Sequence, residues 1–308
     1  MSKLAICVPT YNRPDVVEEI LLYSAEYLKK HDVDMYYYDS GDTGDVEALV
    51  DKHNLKGYDN VHYIRVPSDY LYGDKIDLIY SGEGLKKEYD YIWPIKERII
   101  PNERMLELVL ERCDGEADAI ISLTLGDIYE GDTFDFHSPV DVYRYFGKQT
   151  TSLETVIYNT KTMLGDYVFG ESKNSAKHKN DFWHYWFLYD KLSKLDNPVI
   201  AVVSKDGAYN MQSSVPAGNN WRKRIFEVWI EEFIKINFEL PDIYSAYKTQ
   251  VIKNTVSIEE LLGSRNTFVE LHNEGILTAE VFDKYKDFWT FVTDVPVEEI
   301  KKISCGEM

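Results

Sequence analysis

The stretch Lys3-Leu-Ala-Ile-Cys-Val-Pro-Thr-Tyr-Asn-Arg-Pro14 opens the chain and decides how the rest of the sequence is interpreted. Residues 4–8 are apolar without interruption, which is typical of a strand buried on both faces of a sheet. Pro9 has no N–H to donate to a neighbouring strand, so we expect the strand ladder to end there. The polar residues after Pro9 are expected to form an exposed turn.

An amphipathic helix is predicted directly after this turn. Apolar side chains recur at helical spacing, at Val16, Val17, Ile20, Leu21 and Leu28. Pro14 suits the first helical turn, where a backbone N–H would have no partner in any case. A buried strand that leads through a polar turn into a helix is typical of an α/β protein. In open α/β sheets, ligands bind at such turns.

Residues 7–14, Cys-Val-Pro-Thr-Tyr-Asn-Arg-Pro, resemble the signature of family 2 glycosyltransferases, which are inverting nucleotide-sugar enzymes. The alternative is an ordinary first strand and loop of another α/β protein. The resemblance implies the GT-A fold, a Rossmann-like nucleotide-binding mixed sheet flanked by helices. It also implies that Pro9, Thr10, Tyr11 and Arg13 wall a nucleotide pocket.

The length and the charge of the chain limit the classes of function that it can have. The chain has 308 residues, enough for one large domain with an appendage. Its formal charge of −19, from 34 basic and 53 acidic residues, argues against a nucleic-acid or anionic-membrane partner. The 24 tyrosines and six tryptophans suit stacking on sugars and bases, but such side chains also fill cores.

Cysteine usage and hydropathy predict a cytoplasmic protein. The three cysteines are an odd set without metal-ligand spacing, which disfavours a disulfide framework or a zinc site. Pro9 and Arg13 interrupt any apolar run that could serve as a signal peptide, and no segment approaches the roughly 20 apolar residues of a membrane span.

A second strand is predicted at residues 33–38, followed by Asp39-Ser-Gly-Asp-Thr-Gly-Asp45. Acids and glycines after a strand predict a tight turn with carboxylates at the carboxyl edge of the sheet. The resemblance implies that Asp39 contacts the nucleoside of the donor. The alternative is helix capping, in which Asp42 or Asp45 caps a helix at residues 46–53.

A third strand is predicted at residues 60–66, which would complete a nucleotide-binding half with the first two. Lys75 follows in a short helix that ends near Gly82. Family 2 enzymes usually have a basic residue near the donor phosphates at about this place. Lys75 matches that position loosely, and a solvated lysine is the simpler interpretation.

The segment 89–101 departs from the family pattern. Family members carry an apolar strand, an Asp-x-Asp acidic cluster that holds a divalent ion on the donor diphosphate, and a proline. Here the strand and the proline are present, but the cluster reads Lys96-Glu97-Arg98. Either Glu97 alone ligates Mg²⁺ or Mn²⁺, or Lys96 and Arg98 replace the metal as fixed cations on the diphosphate. In a third interpretation, donor cleavage has been lost.

A candidate catalytic base lies in Asn180-Asp-Phe-Trp-His-Tyr-Trp-Phe-Leu-Tyr-Asp190. Inverting family 2 enzymes often have a Glu-Asp pair before an aromatic helix, with the aspartate as base. Asp181 matches that aspartate, while Asn180 stands in place of the glutamate. The alternative role for Asp181 is an N-cap of the helix. His184 and His178 are fallback bases.

The remainder of the chain is predicted to be helical. Arg222 and Arg224 would either reach the donor phosphates or be solvated surface residues. We expect a GT-A domain at residues 1–235 and a small helical C-terminal module at 236–308. This module would pack on the enzyme core, or bind a protein partner, a second copy or the acceptor.

Together these features predict an inverting glycosyltransferase that moves a sugar from a nucleotide-sugar, with a UDP-sugar as the expected donor. The acceptor would be a hydroxyl of a glycan, lipid-linked or protein acceptor. The alternative is a catalytically silent GT-A domain that binds a nucleotide-sugar or a protein partner. A nucleotidyltransferase is disfavoured because no Gly-rich phosphate loop follows the first strand.

Overall fold

The computed structural model of the chain describes residues 3–82, 85–123, 133–170, 180–205, 207–215, 221–258 and 261–307. The strands are Leu4–Thr10 (β1), Asp34–Asp39 (β2), Val61–Arg65 (β3), Tyr91–Pro94 (β4), Ile99–Pro101 (β5), Ala119–Ser122 (β6), Phe134–Phe136 (β7), Val156–Asn159 (β8), Ile200–Val203 (β9) and Asn210–Gln212 (β10). The α-helices are Pro14–Lys30 (α1), Asp45–Asn54 (α2), Tyr72–Ser81 (α3), Glu103–Arg112 (α4), Pro139–Phe146 (α5), Trp183–Leu192 (α6), Phe233–Phe238 (α7), Lys248–Val256 (α8), Arg265–Asn273 (α9), Ala279–Lys284 (α10), Trp289–Val292 (α11) and Val297–Ser304 (α12).

Eight strands form one mixed sheet in the order β3-β2-β1-β4-β8-β6-β9-β7. β1 is parallel to both of its neighbours, β2 and β4. β8 is antiparallel to β4 and to β6, so it begins at the edge where those two strands end. All seven residues of β1 are buried. The predicted α/β class and the predicted buried first strand are therefore confirmed.

Pro9 does not end β1, in contrast to the prediction. The carbonyl of Cys7 accepts a hydrogen bond from Ile95 on the β4 side, whereas the carbonyl of Thr10 accepts one from Ser40 on the β2 side. Successive residues of a parallel strand bond to opposite neighbours, so Pro9 faces β4, as Cys7 does. The ladder to β4 ends at Cys7, and the ladder to β2 continues to Thr10. The missing N–H of Pro9 therefore falls where no ladder bond is required.

Helix α1 follows the predicted pattern, because its five predicted apolar positions are all buried and Pro14 stands in its first turn. Helix α2 differs in its cap: the N-cap residue is Gly44, which has no side chain to offer, so neither proposed aspartate is the N-cap. Among the described residues, no helix is both long and apolar enough to cross a membrane.

A second, two-stranded sheet was not predicted. β5 and β10 pair antiparallel, with Asn210 opposite Pro101 and Gln212 opposite Ile99. Each strand has three residues, which is too short for a period-2 pattern to be recognised in a sequence. The pairing therefore shows only in the tertiary structure.

The chain divides into two compact units. The first comprises Met1–Pro139, Gln149–Lys179 and Trp183–Ala217, and the second comprises Val140–Lys148, Asn180–Phe182 and Gly218–Met308. The first unit contains the strands of both sheets. The boundary predicted at residue 235 lies inside the second unit, and independent folding of residues 1–235 and 236–308 stays a prediction.

The second unit is built around Trp289. The rings of Phe226, Phe268 and Phe282 have their centroids 5.6, 6.0 and 5.9 Å from that of Trp289. Edge-on and offset aromatic packing of this kind stabilises a core beyond the area that it buries. The predicted apolar stripe at 226–236 contains a π-helical segment, Glu227–Glu232, which leads into α7.

The central position of β1 gives a prediction about stability. Ile6 is fully buried, whereas Leu22 on α1 is 66% exposed. We expect Ile6→Ala to lower the free energy of unfolding by about 2–5 kcal/mol, because it removes a core side chain and leaves a cavity. Leu22→Ala serves as the control and should change it by less than about 0.5 kcal/mol. Urea unfolding followed by circular dichroism measures both, and equal effects would contradict a core position for β1.

Candidate active site

The candidate site begins where β1 and β2 end side by side. The register places Thr10 opposite Asp39. The turn after β1 contacts the turn after β2, because the Asn12 amide donates to Asp42 Oδ1 over 3.1 Å and the Asp42 N–H donates to Asn12 Oδ1 over 3.2 Å. A Cβ on Gly41 would lie 2.5 Å from Asn12 Oδ1 and 2.9 Å from Asp39 Oδ1, so glycine allows this close approach without displacing either side chain. The two turns therefore form one structure at the carboxyl edge of the sheet.

Asp39 is held in place by two donors. Its Oδ1 accepts the Gly41 N–H over 2.8 Å, and its Oδ2 accepts the Tyr63 hydroxyl over 3.3 Å. Arg65 Nη1 donates to the same Tyr63 oxygen over 3.3 Å. Each carboxylate oxygen retains acceptor capacity after one hydrogen bond. Asp39 is thus a fixed acceptor at the end of β2, with Tyr63 and Arg65 of β3 beside it.

Lys75 is buried, which corrects the interpretation of a solvated lysine. It is 5% exposed, and its ammonium donates to the Thr10 carbonyl over 2.7 Å and to Ser40 Oγ over 3.0 Å. Burial lowers the pKa of this ammonium, while the carboxylates of Glu97 and Asp39 oppose that shift. Lys75 therefore ties α3 to the ends of β1 and β2. Its Nζ also lies 5.9 Å from the ring centroid of Tyr11, whose side chain is exposed.

Glu97 belongs to the same cluster. Thr10 Oγ1 donates to Glu97 Oε2 over 2.8 Å, and Arg13 Nη1 lies 3.7 Å from Oε1. Burial raises the pKa of the Glu97 carboxyl, although Thr10 and Arg13 act against the shift. Of the predicted pocket residues, the structure brings together Thr10, Tyr11, Arg13, Asp39, Lys75 and Glu97.

Glu97 does not fit the role of a metal ligand in this arrangement. A hard divalent ion needs several oxygen ligands at once, and the Arg13 guanidinium, 3.7 Å from Glu97 Oε1, disfavours a second cation at this carboxylate. Among the described residues, no further carboxylate is grouped with Glu97 as a metal-binding cluster.

A cluster of metal-ligand type lies elsewhere in the first unit. It consists of His31 after α1 and of Glu103 and Glu107 on α4. Lys30 Nζ already contacts Glu103 Oε1 at 2.7 Å, and Arg104 pairs with Glu107 at 3.1 Å. The 17 residues of α1 separate His31 from the turn after β1 by roughly 25 Å. This cluster is therefore remote from the nucleotide turn.

Lys96 and Arg98 point in different directions. The Lys96 side chain is 45% exposed and its Nζ lies 3.3 Å from Glu154 Oε2. Arg98 Nη2 donates to the Ser213 carbonyl over 3.0 Å, next to β10, and its Nε and Nη1 are buried without a hydrogen-bond partner. Lys96 alone of this pair thus offers a half-exposed cation. Glu154 is a buried acid that the sequence analysis missed, because nothing in its local pattern distinguishes it from a surface glutamate.

Asp181 lies in the second unit, where its backbone N–H contacts Glu232 and its carboxylate contacts Arg224. Its N–H donates to Glu232 Oε2 over 2.7 Å, and Arg224 Nη1 lies 3.6 Å from its Oδ2. Burial raises the pKa of the Asp181 carboxyl; Arg224 lowers it and Glu227 raises it further. Asn180 rather than Asp181 accepts the N–H of Phe182, over 2.8 Å.

Two other candidate residues predicted in this region, Arg222 and His184, have protein partners. Arg222 pairs with Glu270 and Glu274. His184 Nε2 lies 3.0 Å from the carbonyl of Thr151. His178 lies outside the described residues.

No protein-family model matches the chain, and no curated protein sequence matches it. Solved structures match along nearly all of it. Residues 1–349 of S. aureus TarS, in complex with UDP-GlcNAc, align with a TM-score of 0.58 and 14% identity over 98% of this chain and 90% of that chain. The mannosyltransferase PcManGT from Pyrobaculum calidifontis, in complex with GDP-Man and Mn²⁺, aligns with a TM-score of 0.52 and 11% identity over 98% and 86%.

The longer S. aureus TarS structure extends well beyond the match, since this chain covers 55% of it. The mixed sheet and its flanking helices match these structures and have the GT-A fold. The fold expected from the sequence is therefore confirmed.

The raised pKa of Glu97 predicts how stability changes with pH. The folded protein holds the Glu97 proton more tightly than the unfolded chain does, so wild type loses stability as the pH rises through the folded-state pKa. Glu97→Gln removes this titration. We expect the variant to gain stability relative to wild type between pH 4 and pH 8, measured by urea unfolding across that range.

The control for this experiment is Glu116→Gln, at an exposed glutamate of the same unit. At this exposed position the substitution should change the free energy of unfolding by less than about 0.5 kcal/mol. A Glu97→Gln difference that is constant, or that shrinks towards pH 8, would contradict the burial of this carboxyl.

Proposed function

We propose that this protein is an inverting glycosyltransferase that moves a sugar from a nucleotide-sugar to a hydroxyl group. The observation that carries the proposal is the cluster at the carboxyl edge of a GT-A sheet, where Lys75 crosslinks the ends of β1 and β2 beside Asp39 and Glu97. Open α/β sheets bind nucleotides at this edge. S. aureus TarS binds UDP-GlcNAc, which favours a UDP-sugar as the donor here.

The nucleoside would be recognised by the end of β2 and the turn after β1. Asp39 supplies a fixed acceptor for a ribose hydroxyl or a base N–H. Tyr11 is 54% exposed, so its ring offers a flat apolar face against which a base can stack. Pro9 and Thr10 form the backbone beneath this pocket.

Cations would stabilise the departing diphosphate. Arg13 lies at the N-terminal end of α1, where the helix dipole also favours negative charge. Lys96, in the loop after β4, is 45% exposed and lies beside Glu154. Glu97 would act as a positioning residue that holds Thr10 and Arg13 in place. Charge neutralisation by fixed cations is an established way to stabilise a phosphate leaving group.

Asp181 would be the general base. As the acceptor hydroxyl gives its proton to the Asp181 carboxylate, its oxygen attacks the anomeric carbon. The bond from that carbon to the diphosphate breaks on the opposite face, and the nucleoside diphosphate leaves with the electron pair. The Asp181 side chain is 49% exposed, so an acceptor hydroxyl can reach it, and its raised pKa increases its basicity. The acceptor would be a glycan, lipid-linked or protein hydroxyl.

Nucleotide binding is the first test. We expect UDP or another nucleoside diphosphate to raise the melting temperature of the wild-type protein, because a ligand that binds only the folded state stabilises it by mass action. Asp39→Asn keeps an acceptor for the Gly41 N–H but loses the charge, and should weaken binding by roughly 10- to 100-fold. Isothermal titration calorimetry measures the loss, with Asp51→Asn, at an exposed aspartate of α2, as the control.

Sugar transfer is the second test. Asp181→Asn should lower turnover by about 100-fold or more while nucleotide binding persists, since general-base assistance is lost. Turnover is measured as release of nucleoside diphosphate from the nucleotide-sugar that binds best. Asp287→Asn, at an exposed aspartate of the second unit, is the matched control.

Full turnover in Asp181→Asn would exclude that residue as the base, although it would leave the function itself standing. A second result would count against the function. Tight nucleotide-sugar binding by wild type without transfer or hydrolysis, over a broad acceptor panel, would favour a catalytically silent binding domain.

A further inference from the structure

Glu154 is a buried carboxylate at the edge of the sheet that carries the proposed site. Its side chain is 7% exposed, and its Oε2 is buried without a hydrogen-bond partner. Lys96 Nζ lies 3.3 Å from this oxygen without hydrogen-bond geometry, and it also donates to Ser152 Oγ over 3.4 Å. A buried carboxylate oxygen that is paired only with this half-exposed ammonium can still accept a hydrogen bond from a ligand.

The backbone of Glu154 is held firmly by two donors. Its carbonyl accepts the indole N–H of Trp93 over 2.8 Å and the hydroxyl of Ser122 over 3.2 Å. Trp93 is on β4 and Ser122 is the last residue of β6, and β8 lies between these strands. Glu154 is therefore fixed directly before β8, at the carboxyl edge of the sheet. A side chain placed on such a rigid support suits the recognition of a ligand.

The neighbour of Glu154 indicates which part of a ligand it would meet. Lys96 is half exposed, and it is the cation that would be drawn to a bound diphosphate. In a nucleotide-sugar, the sugar is attached directly to that diphosphate. A carboxylate beside the cation that binds the diphosphate can therefore reach the sugar ring. The hydroxyl groups of that ring can donate hydrogen bonds to a carboxylate oxygen.

We propose that Glu154 recognises the sugar of the donor by accepting a hydrogen bond from one of its hydroxyl groups. This proposal rests on the nucleotide-sugar function above. Lys96 covers the carboxylate before the donor binds and moves to the diphosphate afterwards. A site built to accept a hydrogen bond from a sugar hydroxyl discriminates strongly against a ligand that lacks it, because the buried acceptor is then left unpaired. Glu154 is accordingly a specificity residue, and it forms no bond to the reacting atoms.

The test compares a nucleotide-sugar with its own nucleoside diphosphate, for example UDP-GlcNAc with UDP, by calorimetry on the full chain. Glu154→Gln has nearly the same shape but lacks the charge. We expect its dissociation constant for the nucleotide-sugar to rise at least about tenfold, while that for the diphosphate changes less than about twofold. Lys96→Met should instead weaken both ligands by a similar factor.

Two further variants exclude a general loss of structure. Glu154→Leu replaces the carboxylate by an apolar side chain; it should keep the circular dichroism spectrum of the folded wild type while losing the same preference for the sugar. Glu116→Gln, at an exposed glutamate of the same unit, should bind both ligands as wild type does.

The outcomes separate the two proposals. If wild type binds no nucleotide at all, the proposed function fails, and the role of Glu154 fails with it. If wild type binds both ligands and Glu154→Gln weakens both equally, or neither, the function stands and the assignment of Glu154 is wrong.

Discussion

The parallel pairing of β1 with β2 in one register is the constraint on which the candidate site depends. It places Thr10 opposite Asp39, so that the two turns leaving these strands contact each other through Asn12 and Asp42. Lys75 then binds the ends of both strands at once. A slip of one residue would move every side chain of β1 to the other face of the sheet and separate these groups. The buried faces of β1 make such a slip costly.

Charges at this edge are stable because each has an opposite charge or a hydrogen bond close by. Glu97 lies between Thr10 and Arg13, and the Lys75 ammonium, itself buried, faces two oxygen acceptors. In a medium of low polarity an isolated charge would be expensive, whereas a paired network is tolerated and keeps its members rigid. Glu154 also has an opposite charge close by, since Lys96 Nζ lies 3.3 Å from its Oε2, but this oxygen accepts no hydrogen bond. Glu154 can therefore accept a hydrogen bond from a ligand.

The resemblance implies an acidic cluster after β4, but residues 96–98 hold one acid between two cations. In the structure these three side chains have different partners. Glu97 is engaged by the turn after β1, Lys96 lies beside Glu154, and Arg98 is directed to the carbonyl of Ser213. These three consecutive residues have three different surroundings because they lie in a turn, which the Ile99 N–H closes by donating to the Lys96 carbonyl over 3.0 Å. A cluster that reads as one motif in the sequence is not one site in space.

Local pattern was enough to predict β1, α1 and the placement of Asp39 at a strand end, because burial on two faces, a 3.6-residue period and a turn rich in glycine and acid are properties of neighbouring residues. It predicted the GT-A fold through a short motif at residues 7–14. The continuation of β1 past Pro9 was not predictable, since it depends on which neighbour Pro9 faces.

The pattern of residues along the chain was enough to predict the class of fold and the turn that carries the candidate site. The burial of Lys75, the contact of Glu97 with Thr10 and the position of Glu154 beside Lys96 became visible in the folded chain alone. These residues are 65, 87 and 58 positions from their partners Thr10, Thr10 and Lys96. The physical reason is that the charge and hydrogen bonding of a polar side chain are set by whatever the folded chain brings next to it, and adjacent sequence does not encode that.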